Sequence, residues 1–302
     1  MKYSDKLIGH ILASLTIIVW GTTFISSKIL LGEFTPLQVM IMRFVIAYVT
    51  LLLISHKGMK TTWREELTFF SLAILGTTLY FLFENKALTL TFASNVSIIL
   101  SIAPIFTAIL AHFFTKDEKI HKTLIQGSLI AFAGVALVVF NGTVILKLSP
   151  IGDILSFGAA LCWAIYSVIL KKQVCKYESV YLTRKVLFYS ILTTIPLLFM
   201  ENKRFPIQEI FQSSYWLHLL FLGAIGSGLC YVAWNLATNK LGIVTTNNYI
   251  YLSPFITMMA AGLMLHETVT VMGVFGAILI ILGVVVAGTD KKTLIKIKSK
   301  FK

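Results

Sequence analysis

Apolar runs of about the length that crosses a bilayer alternate with short polar breaks along the whole chain. A helix needs about 20 apolar residues to span the hydrocarbon. Ten runs qualify, at approximately 7–27, 36–55, 67–87, 92–114, 122–140, 152–170, 180–199, 216–237, 243–264 and 270–288. Most connections are shorter than a dozen residues. The longest break, 200–215, carries Glu201, Lys203, Arg204, Pro206 and Glu209 and reads as a polar loop. Lipid cannot satisfy exposed backbone groups, so each run closes its own hydrogen bonds as a helix. A membrane barrel would need alternating strands of about ten residues, and that pattern is absent. The pattern predicts an all-α integral membrane protein with ten transmembrane helices. Lys2 and Lys6 ahead of the first run imitate a signal peptide. The run is too long for that and has no clear cleavage site, so it reads as the first membrane helix.

Composition sharpens the choice of solvent. Of 302 residues, 57% are hydrophobic and 13% charged, and the mean hydropathy is +0.85. A soluble domain carries about 25% charged residues, so this chain lacks the material for a polar surface. The net charge of +13 sits in clusters between the apolar runs, which is a loop pattern and argues against nucleic acid as a partner. With the N-terminus inside, the inner segments hold twenty of the 26 basic residues and the outer segments five, while Arg43 falls within a helix. That split predicts both termini in the cytoplasm. The three cysteines show no CxxC spacing and the six histidines no ligand spacing, so neither metal nor cofactor is expected.

An internal repeat changes the count of ten into five plus five. Gly9, Trp20 and Lys28 align with Gly152, Trp163 and Lys171 at an offset of 143. Arg43 and Tyr48 align with Arg184 and Tyr189. At an offset of 150, Gly76, Leu79, Phe81, Asn85 and Ala87 fall on Gly226, Leu229, Tyr231, Asn235 and Ala237, and Pro104 and Thr107 on Pro254 and Thr257. Glu118, Gly127 and Gly134 match Glu267, Gly276 and Gly283 at an offset of 149. Five is odd, so the second repeat enters the membrane from the opposite side. Inverted repeats suit alternating access.

These residues resemble the ten-helix drug/metabolite transporter superfamily with two EamA domains. The first domain's pattern is carried by Trp20-Gly21-Thr22-Thr23-Phe24, Lys28, Pro36, Arg43, Ala87-Leu88, Pro104, Glu118, Gly127 and Gly134. The second is carried by Trp163-Ala164, Tyr166, Tyr231, Trp234, Ala237, Leu252, Pro254, Glu267, Gly276 and Gly283. The resemblance covers 7–140 and 150–288, leaving a basic tail at 289–302. Asn247-Asn248 depart from it, since the family has small apolar residues there. It implies a bacterial inner-membrane exporter or exchanger of small metabolites, amino acids or drugs. It also implies a central cavity lined by helices 1, 3, 4, 6, 8 and 9.

Polar and aromatic side chains in those helices are the substrate-binding candidates, because intramembrane polar groups face a cavity or a partner. Trp20, Thr23, Phe24 and Ser27 share one helical face. Trp163, Tyr166 and Ser167 form a second stripe, and Tyr231, Trp234, Asn235 and Thr238 a third. Tyr80, Asn247 and Tyr251 complete the set. Helix packing or an interfacial aromatic belt is the plain alternative for each. Glu84 is an acidic residue within an apolar run, about a turn from its predicted outer end. It is the proton-coupling candidate, against an interfacial ion pair with Arg43 or Lys86. Arg43 reads as a snorkelling or structural cation. Pro104 and Pro254 are hinge candidates. Gly127/Ala131 and Gly273/Ala277 have the spacing of packing or dimer faces. Glu118 and Glu267 fit capping roles, and Asn141-Gly142-Thr143 a turn.

No GxSG, GxGD, HExxH or P-loop arrangement is present; His266-Glu267 lacks the second histidine. The expected function is therefore secondary transport rather than catalysis. The partners are a small-molecule substrate and the lipid bilayer, with protons as a candidate coupling ion and a homodimer as a candidate assembly. A membrane scaffold or receptor without transport activity is the competing class, and the lack of any soluble domain argues against it.

Overall fold

A computed structural model describes residues 3–91, 93–115, 118, 120–140, 149–201, 203–205, 207–211, 215–265 and 271–288. Glu267, the Asn141–Thr143 turn and the basic tail lie outside these residues. The described residues are all helical wherever they form regular structure and group into ten units. They are α1 (Tyr3–Leu30), α2 (Pro36–Ile54), α3 (Trp63–Leu90), α4 (93–114), α5 (Lys122–Phe140), α6 (Pro150–Val174), α7 (Ser179–Glu201), α8 (Tyr215–Leu241), α9 (243–265) and α10 (Val271–Gly288). Six of them (α1, α2, α3, α6, α7 and α8) are continuous and apolar enough to cross a membrane unaided. The others are shorter or broken.

Local chemistry explains the boundaries. Thr35 and Gln38 form a reciprocal capping box at the start of α2, with Pro36 at its first position. Gly242 ends α8 with φ +85°, a conformation that side chains beyond glycine rarely adopt. Packing then runs inside out relative to a soluble protein. Leu53, Phe199 and Val285 project outward, while Arg43 and Glu84 are buried at 2% and 5% exposure. Lipid solvates the former and cannot solvate the latter.

The repeat is visible as geometry. A π-helical segment widens α3 at Ile74–Leu79, and another widens α8 at Phe221–Leu229. These segments overlap at the repeat offset. A Cβ on Gly76 would run into the Tyr166 ring, and one on Gly226 would press on Thr23 at 3.2 Å. Tyr166 and Thr23 are themselves repeat equivalents, so the same helix crossing occurs twice with the halves exchanged. α5 and α10 show the same exchange. Gly127 meets the Gly283 carbonyl, and Gly134 meets the Gly276 carbonyl. Glycine permits this backbone approach. The small face formed by Gly127 and Ala131 is therefore occupied by α10 within the chain, not left for a dimer.

Pro104 and Pro254 do not sit in the middle of regular helices. α4 consists of Ala93–Leu100 and Ala103–Phe114, with a turn at Ser101-Ile102 between them. α9 passes through a 3-10 stretch, Asn248–Leu252, before Ser253–Leu265. Each proline is the second residue of the second piece. There its missing N–H has no helical acceptor to lose, so the break precedes it.

The end of the bundle that carries the basic loops is tied by polar contacts. Lys240 meets Asp5 at 2.9 Å, and Lys185 meets Glu66 at 2.6 Å. Lys176 pairs with Glu65, and Arg184 donates to the carbonyls of Ser55 and Lys57. Glu118 accepts from the Ile243 backbone N–H at 2.9 Å and lies 3.4 Å from Lys171. It thereby holds the ends of α4, α6 and α9 together.

Candidate functional site: an aromatic cavity with a buried arginine and glutamate

At the centre of the bundle, α1 and α6 bring Trp20 and Trp163 together as repeat equivalents, 5.4 Å apart and edge to face. Trp20 also lies 5.3 Å from Tyr231, and Trp163 lies 5.3 Å from Tyr80. Such edge-to-face and tilted pairs place ring edges against π-faces. A cavity opens between these rings. Trp20, Thr23, Phe24, Tyr80, Glu84, Trp163 and Tyr231 all line it. The cavity lies toward the end away from the basic loops. Phe24 and Glu84 are each six residues short of that end of α1 and α3.

The polar tips of the rings are anchored by the widened helices. Trp20 Nε1 donates to the Gly226 carbonyl at 2.9 Å, and the Tyr231 hydroxyl donates to the Gly76 carbonyl at 3.2 Å. Both carbonyls belong to the π-helical segments. A π turn displaces the regular ladder, and such turns recur at functional sites. The sequence carries no signal for them beyond two aligned glycines.

The charged groups come from α2 and α3. Arg43 reaches from α2 to α8, where Nε donates to Ser227 Oγ at 2.9 Å. Its guanidinium lies 4.0 Å over the Phe81 ring. Glu84 lines the same cavity as Arg43 and as Tyr80, one turn earlier on α3. α3 continues to Leu90, so Glu84 is about 9 Å from the helix end, deeper than expected. It is buried within the bundle. Ser97 Oγ faces the same space and has no hydrogen-bond partner among the described residues. Arg43, Phe81 and Ser97 were not among the expected binding residues. A single arginine within an apolar run was the available signal for the first.

Other expected residues stand behind this wall. Trp234 backs Trp20 at 4.9 Å and is fully buried. Tyr166 packs on Trp163 at 5.2 Å. Asn247 accepts from Trp163 Nε1 at 2.8 Å and donates to the Ile243 carbonyl, fixing the indole from the rear. Asn235 turns to α7 and donates to Thr183 at 2.9 Å. Tyr251 packs with Ala131, Val135 and Ile280 of α5 and α10.

Ten helices in two crossed halves around a lined cavity define a polytopic membrane transporter. The sequence matches the EamA-like transporter family over residues 7–140 and 150–289, and the chain belongs to that family. This is a transporter family and not an enzyme family. A protein of Archaeoglobus fulgidus called an uncharacterized transporter is 31% identical, over 91% of this chain and 95% of that protein. A probable terminal-alkyne amino-acid exporter of Streptantibioticus cattleyicolor is 22% identical, over 89% of this chain and 90% of that protein. A crystal structure at 18% identity shares the fold with a TM-score of 0.75, covering 95% of this chain and 99% of that one.

Proposed function

We propose that this protein is a secondary transporter that exports or exchanges small metabolites such as amino acids or drugs by alternating access between its two halves. The carrying observation is the cavity where the crossed repeats meet, lined by paired tryptophans and by the buried Arg43 and Glu84. Substrate sites at the repeat interface near mid-membrane are the arrangement inverted repeats provide. The amino-acid exporter among the relatives supports the substrate range and the direction. The charge bias of the loops supports a reading in which the tied end and both termini face the cytoplasm of a bacterial inner membrane. On that orientation the ion pairs close the inner face and the cavity belongs to the outer half. The broken helices at Pro104 and Pro254 supply the bending points.

Flux from proteoliposomes, with a panel of amino acids, nucleosides, sugars and cationic drugs, tests the reading. Saturable, counterflow-competent movement of at least one class is the expected result. A protein that binds panel compounds but moves none supports the receptor class instead.

A further inference from the structure

The two indoles that meet in the cavity are repeat equivalents, yet their N–H groups have different kinds of partner. Trp20 Nε1 donates across to the other half, to the Gly226 carbonyl in the π-helical segment of α8, at 2.9 Å. Trp163 Nε1 donates within its own half, to the Asn247 side chain on α9, at 2.8 Å. The repeat supplies each indole with the acceptor it does not use. The counterpart of Gly226 is Gly76, in the π-helical segment of α3, and the counterpart of Asn247 at the same offset of 150 is Ser97 on α4. Ser97 lines the same cavity as Trp20, is 3% exposed, and its Oγ has no hydrogen-bond partner among the described residues. Gly76 packs against the ring of Tyr166, one turn beyond Trp163 on α6, just as Gly226 packs against Thr23, one turn beyond Trp20 on α1.

From this half-used pattern we infer that the two indoles form a paired switch, and that the opposite-facing state has Trp20 on Ser97 Oγ and Trp163 on the Gly76 carbonyl. The inference rests on the transport reading, because it needs two states that exchange the roles of the halves. The described state holds one indole across the interface and the other at home. Inverted repeats exchange these two arrangements when the cavity changes sides. A buried indole N–H needs an acceptor in either state, and the exchange hands each one an acceptor already in place. A serine hydroxyl can accept as well as donate. The switch thus gives the buried Ser97 hydroxyl the partner it lacks in the described state.

The two arms of the switch are unequal. In the described state both π-segment carbonyls take a ring donor, Gly226 from Trp20 and Gly76 from the Tyr231 hydroxyl at 3.2 Å. After the exchange Gly76 takes Trp163, but Phe81, the counterpart of Tyr231, has no hydroxyl to give Gly226. The described state is therefore the favoured one at rest. Asn247 and Ser97 act as positioning residues on opposite sides of one equilibrium. Asn247 holds the described state, and Ser97 holds the other.

The test is sided labelling of a cysteine on the cavity wall, Ser253→Cys, in the full chain lacking Cys162, Cys175 and Cys230 and held in oriented vesicles. A membrane-impermeant thiol reagent then reads outer and cytoplasmic exposure separately. Ser97→Ala should lower the ratio of cytoplasmic to outer labelling by about threefold or more, the effect of one hydrogen bond within a membrane bundle. Asn247→Leu should raise that ratio by a similar factor. Ser97→Thr keeps the acceptor and should return the ratio to within about twofold of the starting chain. Ser97→Ala should not lower the unfolding temperature in detergent, because the hydroxyl it deletes bonds nothing in the described state. A packing role alone would not move repeat-equivalent positions in opposite directions. A ratio that stays or rises in Ser97→Ala, or that moves the same way in both variants, overturns the inference. Should Asn247→Leu fail to fold, Ser97→Ala and Ser97→Thr decide by themselves. Flux without the opposed shifts would sink the switch and leave the transport reading standing. Opposed shifts in a protein that moves no compound of the panel would do the reverse.

Discussion

Asn247 shows how a single buried amide can act at a distance from the ligand. It does not line the cavity, yet its side-chain oxygen takes the Trp163 indole N–H at 2.8 Å. Replacing it with leucine leaves that N–H buried without a partner. A stranded donor costs about 1–3 kcal/mol, so Asn247→Leu should lower the unfolding temperature in detergent. It should also loosen the indole and weaken binding of planar ligands. Asn247→Asp keeps the acceptor and should retain that binding better than leucine. Equal binding by the two variants would remove Asn247 from the positioning of Trp163. Glu84 makes a second prediction at this scale. If its carboxyl carries a proton during transport, flux in proteoliposomes should respond to an imposed pH gradient, and Glu84→Gln should abolish that response. Unchanged pH dependence in Glu84→Gln would remove the residue from proton coupling.

Among the elements, the junction between α8 and α9 joins backbone conformation to closure of the inner face. Gly242 adopts φ +85°, and the Glu118 carboxylate lies where a Cβ would stand. Alanine there meets both a left-handed backbone and a charged neighbour. Gly242→Ala should therefore destabilise the fold by more than about 1 kcal/mol, read as a lowered unfolding temperature. The elements also show what could be read from residues alone. Ten apolar runs and their polar breaks were legible because lipid demands length and hydropathy, which composition displays directly. The depth of Glu84 was not, because hydropathy stops at Ala87 while the helix runs on through Thr89 to Leu90. The π segments were not legible either. Their carbonyls accept from Trp20 Nε1 and the Tyr231 hydroxyl on other helices, and that partnership exists only once the helices cross. Asn235 and Tyr251 had the composition of cavity residues. The face of a broken or widened helix cannot be counted at a regular 3.6 residues per turn, and they point at α7 and at α5 and α10.

For the molecule as a whole, two copies of one fold in opposite orientation imply two states that exchange the roles of the halves. The state described here is tied at the basic end through Glu118, Lys171 and the Ile243 N–H. α5 and α10 meet backbone to backbone across the pseudo-twofold relation and contribute a fixed seam. On the proposed alternating-access reading, motion falls to the helices around the cavity, which are broken before Pro104 and Pro254. Removing the Glu118 carboxylate takes away an ion pair and a helix cap together, each worth about 0.5–2 kcal/mol. That is enough to move a two-state population several-fold. Ser97→Cys in a chain lacking Cys162, Cys175 and Cys230 provides a reporter on the cavity wall. With Glu118 present, a membrane-impermeant thiol reagent should label it faster from the outer side of oriented vesicles. With Glu118→Ala, labelling from the cytoplasmic side should rise several-fold while outer labelling falls. A rise on both sides would indicate a loosened bundle and not an exchange of states. No change on either side would mean that the tie at the basic end does not hold the cavity in this orientation.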